Sequence, residues 1–403
     1  MTTPSKSKRG AEEAKAHFET TAVRAQTKRS SEREHSVPLY LTSSFVFENA
    51  EQARAMFADE VPGCIYTRFS NPNTDEFVQK MALLEGAEDG VAFASGMAAV
   101  YAGFAAFLSS GDHVVSSRAV FGSTHQILTR ILSRFGVEHS YVDLTNLDQW
   151  RAAVQPNTKM LYLETPSNPG LEIADMEALG ALAEERGLIF NVDNCFATPY
   201  LQRPAEFGAH LITHSATKFI DGQGRAIGGV IVGDSKLITE LRFFARHTGP
   251  SLSPFNSWIF SKSLETLAVR MDRHCQNALS LAEHLEGAPG VERVIYPFLK
   301  SHPDYALAKK QMSGGGGIVS FVVQGGLDRA RRLIDCVEML SHTANLGDSR
   351  TIITHPASTT HSKLTENERL AVGIFPGLLR VSAGLEHISD IVAVIDAALS
   401  KTA

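Results

Sequence analysis

Lys218 closes the run His214-Ser215-Ala216-Thr217-Lys218, which directly follows an apolar segment. A lysine at such a position is desolvated, which weakens its hold on a proton and leaves the amine nucleophilic toward a carbonyl. Asp193 lies 25 residues earlier, at the end of the preceding apolar run. A carboxylate there can hold a pyridinium nitrogen, and a pyridoxal phosphate site needs that carboxylate together with a Schiff-base lysine. A plain Lys–Asp ion pair at a strand end fits the same two residues. A phosphate also needs donors. Ser95-Gly96-Met97 precedes an apolar helical stretch, so its backbone N–H groups and the helix dipole can face an anion. Ser215 and Thr217 add hydroxyls, and Glu164-Thr165-Pro166-Ser167-Asn168-Pro169 is a third polar stretch placed after an apolar run.

These residues have to be positioned by a sheet. Ligands of open parallel sheets sit beyond the carboxyl ends of the strands. The pattern predicts helices over Met97–Leu108, Ser123–Phe135 and Asp175–Arg186. It predicts strands at His113–Ser117, Val137–Val142, Lys159–Glu164, Leu188–Val192, His210–Thr213 and Gly228–Val232. Near-continuous apolar strands alternating with helices indicate an α/β fold with a mostly parallel central sheet covered on both faces. One long helix is expected over 257–288, and beyond it a smaller C-terminal α/β domain. That domain would hold strands Gly317–Val323 and Leu378–Ser382 and helices Leu327–Val337 and His387–Ser400. The division is an arm over 1–63 that lies on a neighbouring subunit, a large domain over 64–258 and a C-terminal domain over 259–403. A disordered tail is expected for residues 1–15. Gly314–Gly317 is a hinge or a tight turn.

Composition narrows the function. Of the 403 residues, 43% are apolar, enough for a large core. The 38 basic against 44 acidic residues argue against a general nucleic-acid binder. Cys64, Cys195, Cys275 and Cys336 form no CxxC pair, which speaks against a disulfide scaffold or zinc cluster and fits a reducing cytoplasm. Cys195 reads as a small buried residue. His355 and His361 lack a third ligand nearby, so no metal is expected. The N-terminus carries no apolar core of a secretory signal. Val91–Leu108 is uncharged and long enough to span a membrane, but Ser95-Gly96 interrupts it, so a short apolar segment, a turn and a buried helix are expected instead.

Six motifs then stand in order: Tyr66-Thr67-Arg68 with Ser70-Asn71-Pro72, Ser95-Gly96-Met97, the 164–169 stretch, Val192-Asp193-Asn194, Ser215-Ala216-Thr217-Lys218, and Leu379-Arg380-Val381-Ser382 with Gly384 and Glu386. Together they resemble the Cys/Met-metabolism family of pyridoxal-phosphate enzymes over about residues 35–400. The resemblance implies the aspartate-aminotransferase-type fold (fold type I), pyridoxal 5'-phosphate as cofactor, and a homotetramer built from dimers with shared active sites. It implies that Lys218 is the Schiff-base lysine and proton shuttle, and that Asp193 pairs with the pyridine nitrogen. Asn168 would bond the ring-hydroxyl side, and Gly96, Met97, Ser215 and Thr217 would hold the phosphate. Tyr66 and Arg68 would reach in from the neighbouring subunit, and Arg380 would take the substrate α-carboxylate. Phe121 stands where many members carry a Tyr stacked on the cofactor ring. An acid–base role of that hydroxyl would pass to Lys218, Tyr66 or water.

Asp193-Asn194-Cys195-Phe196-Ala197-Thr198-Pro199, Asp221-Gly222-Gln223-Gly224-Arg225, Asn345-Leu346-Gly347-Asp348 and the 355–361 stretch are similar to the O-succinylhomoserine sulfhydrylase branch. That branch implies γ-replacement in methionine biosynthesis, with O-succinylhomoserine and sulfide giving homocysteine. A cystathionine γ-synthase, a cystathionine or methionine γ-lyase, and an inactive binding relative are the alternatives. Arg225 would meet the succinyl carboxylate or be a solvated loop arginine.

Overall fold

The computed structural model describes residues 16–403 apart from 360, 361, 363, 364 and 372. The tail expected over 1–15 and the candidate ligand His361 lie outside the described residues.

Seven strands form the larger sheet: β1 (Asp89–Phe93), β2 (His113–Ser117), β3 (Glu138–Val142), β4 (Thr158–Glu164), β5 (Ile189–Asp193), β6 (Leu211–Ser215) and β7 (Gly229–Gly233). Their order is β1-β7-β6-β5-β4-β2-β3, and only β7 runs against the rest. Both faces are covered. Val230 and Val232 join one apolar cluster with Phe77 and Met81, while Ile231 between them joins another with Ala99 and Ala102. Side chains two apart share a face, so one cluster lies on each side.

The uncharged stretch 91–108 is split. Its first residues belong to β1, and Ser95 then accepts the Ala98 N–H on its hydroxyl at 3.1 Å and starts the helix Gly96–Ala105. Among the described residues no helix is long and apolar enough to cross a membrane.

Two expected helices are interrupted. The segment 123–135 is α-helical only over Gly122–Gln126, then forms a π turn over Ile127–Ile131 and a 3-10 turn over Leu132–Phe135. The hydroxyls of Thr129 and Ser133 donate to the carbonyls four residues back, both at 2.7 Å, and such bonds compete with the helical ladder. The expected helix 257–288 is two helices, Pro254–Leu264 and Leu267–Leu285. At the break, the Ser263 carbonyl accepts from the Thr266 N–H, the Thr266 hydroxyl and the Arg270 guanidinium, which replace the helical bond from Leu267. The boundary expected at 258/259 therefore lies inside a helix, and two successive helices make the passage between the sheets.

The second sheet contains β8 (Val291–Ile295), β9 (Ile318–Val323), β10 (Ser341–His342), β11 (Ile352–Thr354) and β12 (Leu378–Ser382), in the order β10-β11-β12-β9-β8. Apolar residues of the helices Leu267–Leu285, Gly326–Cys336 and Ile388–Lys401 form one cluster with Phe321, Leu379 and Val381. The glycine run 314–317 forms a bend that leads into β9. Gly316 has φ +86°, and its carbonyl accepts from the buried Tyr296 hydroxyl at 2.9 Å.

Candidate active site

A cavity of about 240 Å³ lies at the carboxyl ends of β4, β5 and β6 and is closed by residues of the second sheet. Each of the three strands ends in a polar residue: Glu164, Asp193 and Ser215. Within the strands the polar side chains Asn191, Thr213 and His214 are buried and engaged in the core, Thr213 with Asn191 and His214 with Glu85, so the side chains left to meet a ligand are those at the ends.

Glu164 and Asp193 are register partners on adjacent strands, and both line the cavity. Burial pushes the Asp193 carboxyl up to about 6, against the Cys195 N–H at 2.9 Å and the nearby His214, which pull it down. Burial first, and then the charge of Asp193, hold the Glu164 carboxyl well above the carboxylate range. Glu164 accepts the Phe121 N–H at 2.8 Å and the Thr124 hydroxyl at 3.4 Å. It thereby ties the start of the helix Gly122–Gln126, and with it Phe121, to the cavity wall.

Lys218 stands in the turn after β6, and its Nζ donates to Asn345 Oδ1 at 2.7 Å. Burial lowers its proton affinity, and the neighbouring Arg380 does so to a lesser degree. Arg380, on β12, is buried with no carboxylate in ion-pair range among the described residues. It donates to Asn168 Oδ1 at 2.9 Å and to the Asn345 carbonyl at 3.2 Å, and its Nε has no partner. Burial holds this guanidinium down at about 10. A buried cation without a counter-ion at a cavity wall is an anion site.

The helix Gly96–Ala105 points its N-terminus at the same space. Its first amides have no intrahelical acceptor. Close packing brings it there: a Cβ on Gly96 would stand 2.6 Å from the Ser215 Cβ, and one on Gly229 would stand 2.3 Å from the Ser95 oxygen. Thr217 lines the cavity and exchanges hydrogen bonds with the Gly228 backbone at 3.1 and 3.3 Å.

The structure thus brings Lys218, Asp193, Asn168, Gly96, Met97, Phe121, Ser215, Thr217 and Arg380 to one cavity. It does not bring Tyr66, Arg68 or Arg225 there. Tyr66 is exposed, and Arg68 packs its guanidinium 5.5 Å from the Tyr66 ring and 4.7 Å from Phe69 while donating to the Arg246 carbonyl. Arg225 is neither a lining residue nor a merely solvated one. It pairs with the fully buried Asp221 at 3.0 Å and donates to Ser263 at 2.5 Å, because Asp221 needs a counter-ion. Cys195, expected as a buried filler, lines the cavity, and burial pushes its thiol up.

Glu164 and Asn345 stand in the sequence motifs, but no role is expected for either from the sequence alone. Glu164 ends an apolar run as Asp193 does, so the same positional rule would have found it. Asn345 carried no local signal, since it lies 127 residues from Lys218.

The donor set fits pyridoxal phosphate. A buried carboxylate without a cationic partner suits a pyridinium nitrogen. Open helix-terminal amides and hydroxyls suit a phosphate. One buried amine suits the carbonyl, and the orphaned Arg380 Nε suits a carboxylate of the substrate. The chain matches the Cys/Met metabolism PLP-dependent enzymes over residues 19–400. It is 50% identical over 378 residues to the O-succinylhomoserine sulfhydrylase of Pseudomonas aeruginosa, covering 94% of each chain. It is 42% identical to the L-methionine gamma-lyase of Fusobacterium nucleatum subsp. polymorphum, over 95% of this chain and 98% of that one. The crystal structure of a putative O-acetylhomoserine (thiol)-lyase from Campylobacter jejuni superposes with a TM-score of 0.92 at 34% identity, covering 96% of this chain and all of the other. That structure carries an N'-pyridoxyl-lysine-5'-monophosphate.

Proposed function

The chain belongs to the Cys/Met metabolism PLP-dependent enzymes, and on that premise we propose that it forms homocysteine from O-succinylhomoserine and sulfide. The cofactor, when bound, supplies an electron-accepting pyridinium ring that eases proton removal from the substrate Cα. The remaining work falls to residues of the chain. Lys218 would carry the cofactor covalently, Asp193 would hold its ring nitrogen, and Asn168 would meet the ring-hydroxyl side. The amides of Gly96 and Met97 and the hydroxyls of Ser215 and Thr217 would hold the phosphate, with Phe121 against the ring. Arg380 would bind the substrate α-carboxylate, which fixes Cα near the lysine. Lys218 would then take the proton from Cα and move the proton lost at Cβ. Succinate leaves Cγ and hydrosulfide takes its place. A buried lysine with lowered proton affinity suits both the uptake and the return of a proton near neutral pH.

Phe121 on the cavity wall is the observation that carries the choice of nucleophile. Its ring offers no hydroxyl for proton transfer. Hydrosulfide is small and substantially ionised near neutral pH, so it needs no such group. The cysteine thiol must be deprotonated and its zwitterion needs charged partners. Product identification with O-succinylhomoserine, sulfide and cysteine present together tests the proposal. The same reading places the enzyme in the cytoplasm, where its four free thiols persist. It also includes assembly as a homotetramer of dimers, in which Tyr66 and Arg68 of one protomer complete the site of its partner.

A further inference from the structure

Asn345 lies in the loop between β10 and β11, and its neighbours Ala344 and Leu346 line the cavity. Its side-chain oxygen accepts from Lys218 Nζ at 2.7 Å, and its backbone oxygen accepts from Arg380 Nη2 at 3.2 Å. One residue therefore touches both the amine and the buried guanidinium. The loop is pinned at this place. The Gly347 N–H donates to the Ser382 hydroxyl on β12 at 2.8 Å. A Cβ on Gly347 would stand 2.5 Å from the Phe219 nitrogen, so the loop presses on the turn that bears Lys218. Arg350 extends the hold by donating to the Gln223 carbonyl at 3.1 Å.

We propose that Asn345 is the positioning residue of Lys218: its carboxamide oxygen receives the amine whenever the amine is not covalently engaged, and holds it beside Arg380 at the cavity wall. The inference rests on Lys218 being the lysine that carries the cofactor. An amide oxygen accepts a hydrogen bond but takes up no proton, so it steadies the ammonium without competing for the proton the lysine must move. It opposes burial and the charge of Arg380, which both favour the neutral amine. The other titratable groups around the cavity are Asp193 at the end of β5, Cys195 just after it and Glu164 at the end of β4. They stay the same in any variant at 345, so a substitution there shifts the pH at which the amine becomes nucleophilic, with a sign set by its own charge.

The test uses the full-length chain stripped of cofactor and recharged with pyridoxal phosphate over a pH series, following the rate at which the absorbance of the lysine-linked cofactor appears. Asn345→Asp, nearly isosteric, should move the midpoint of the rate to higher pH by about one unit or more, as an adjacent opposite charge does. Asn345→Ala should move it to lower pH. A residue that merely shaped the loop would not give opposite shifts. Coinciding midpoints in the wild type and both variants, with Lys218→Ala unable to form the absorbance, would overturn the role of Asn345 alone. Formation of the absorbance by Lys218→Ala would overturn the premise, and the inference with it.

Discussion

Asp193 is a largely buried carboxylate at the cavity wall, with one backbone amide on Oδ1 and no ion pair among the described residues. Its folded-state value, about 6, lies above the usual 3.8. The sign follows from linkage. Below about pH 4 the group is protonated in both the folded and unfolded chain and costs nothing, and as pH rises through 6 the folded chain must ionise a buried group and loses stability. The cofactor-free protein should therefore lose thermal stability between about pH 4 and pH 6.5. The substitution Asp193→Asn keeps an oxygen for the Cys195 N–H and should remove much of that loss. The melting temperatures of variant and wild type should converge at low pH, with the variant higher at about pH 8. Adding pyridoxal phosphate should reverse the order at the alkaline end, because the wild-type carboxylate then gains a cationic partner. Parallel melting curves at all pH values would remove Asp193 from this role.

Strand ends and one helix start build the site, and the helix start meets the end of β6 closely at Gly96. A methyl there would stand 2.6 Å from the Ser215 Cβ and 2.9 Å from its Cα, so the helix Gly96–Ala105 would have to retreat from β6. Overpacking of this kind costs about 1–3 kcal/mol. Gly96→Ala should lower the melting temperature and weaken pyridoxal phosphate binding by about tenfold or more, since the retreating helix takes its amides away from the phosphate. Fluorescence titration of the stripped protein measures the second effect, and unchanged affinity would show that the helix start does not hold the phosphate. β4 and β5 were legible because each is a mainly apolar run ending in a carboxylate. The interruptions at 127–135 and 265–266 were not, because hydroxyl and guanidinium side chains bonding to main-chain carbonyls leave the apolar period intact. Asp221 and Arg225 stand four residues apart, but their pairing leaves no sequence signal, because burial of Asp221 is a property of the packed turn. Asn345 and Arg380 meet Lys218 and Asn168 across 127 and 212 residues, contacts that depend on docking the second sheet and not on local pattern.

At the scale of the whole molecule, one protomer brings together most of the expected constellation but leaves Tyr66 exposed and Arg68 beside a separate cleft of about 1210 Å³. On the proposed reading these two residues serve the site of a second copy of the chain. Arg68→Ala and Lys218→Ala damage different residues. If Arg68 acts across the interface, mixing the two variants should restore about a quarter of wild-type activity after subunit exchange, because half the dimers are hybrids with one intact site each. The assay belongs at a cofactor concentration where Arg68→Ala alone is inactive. No recovery despite demonstrated exchange would place both residues in the same site of one chain.

The central claim is the reaction, and one competition assay tests it most directly. The holoenzyme is given O-succinylhomoserine with sulfide and cysteine at equal concentration, and the products are quantified together. Homocysteine should dominate, reflecting a higher kcat/KM for sulfide, since the ratio of those constants sets the product ratio. A dominant cystathionine peak would contradict the sulfhydrylase reading in favour of a cystathionine-forming enzyme, and 2-oxobutanoate with ammonia as the main products, formed equally well without either nucleophile, would contradict it in favour of a lyase.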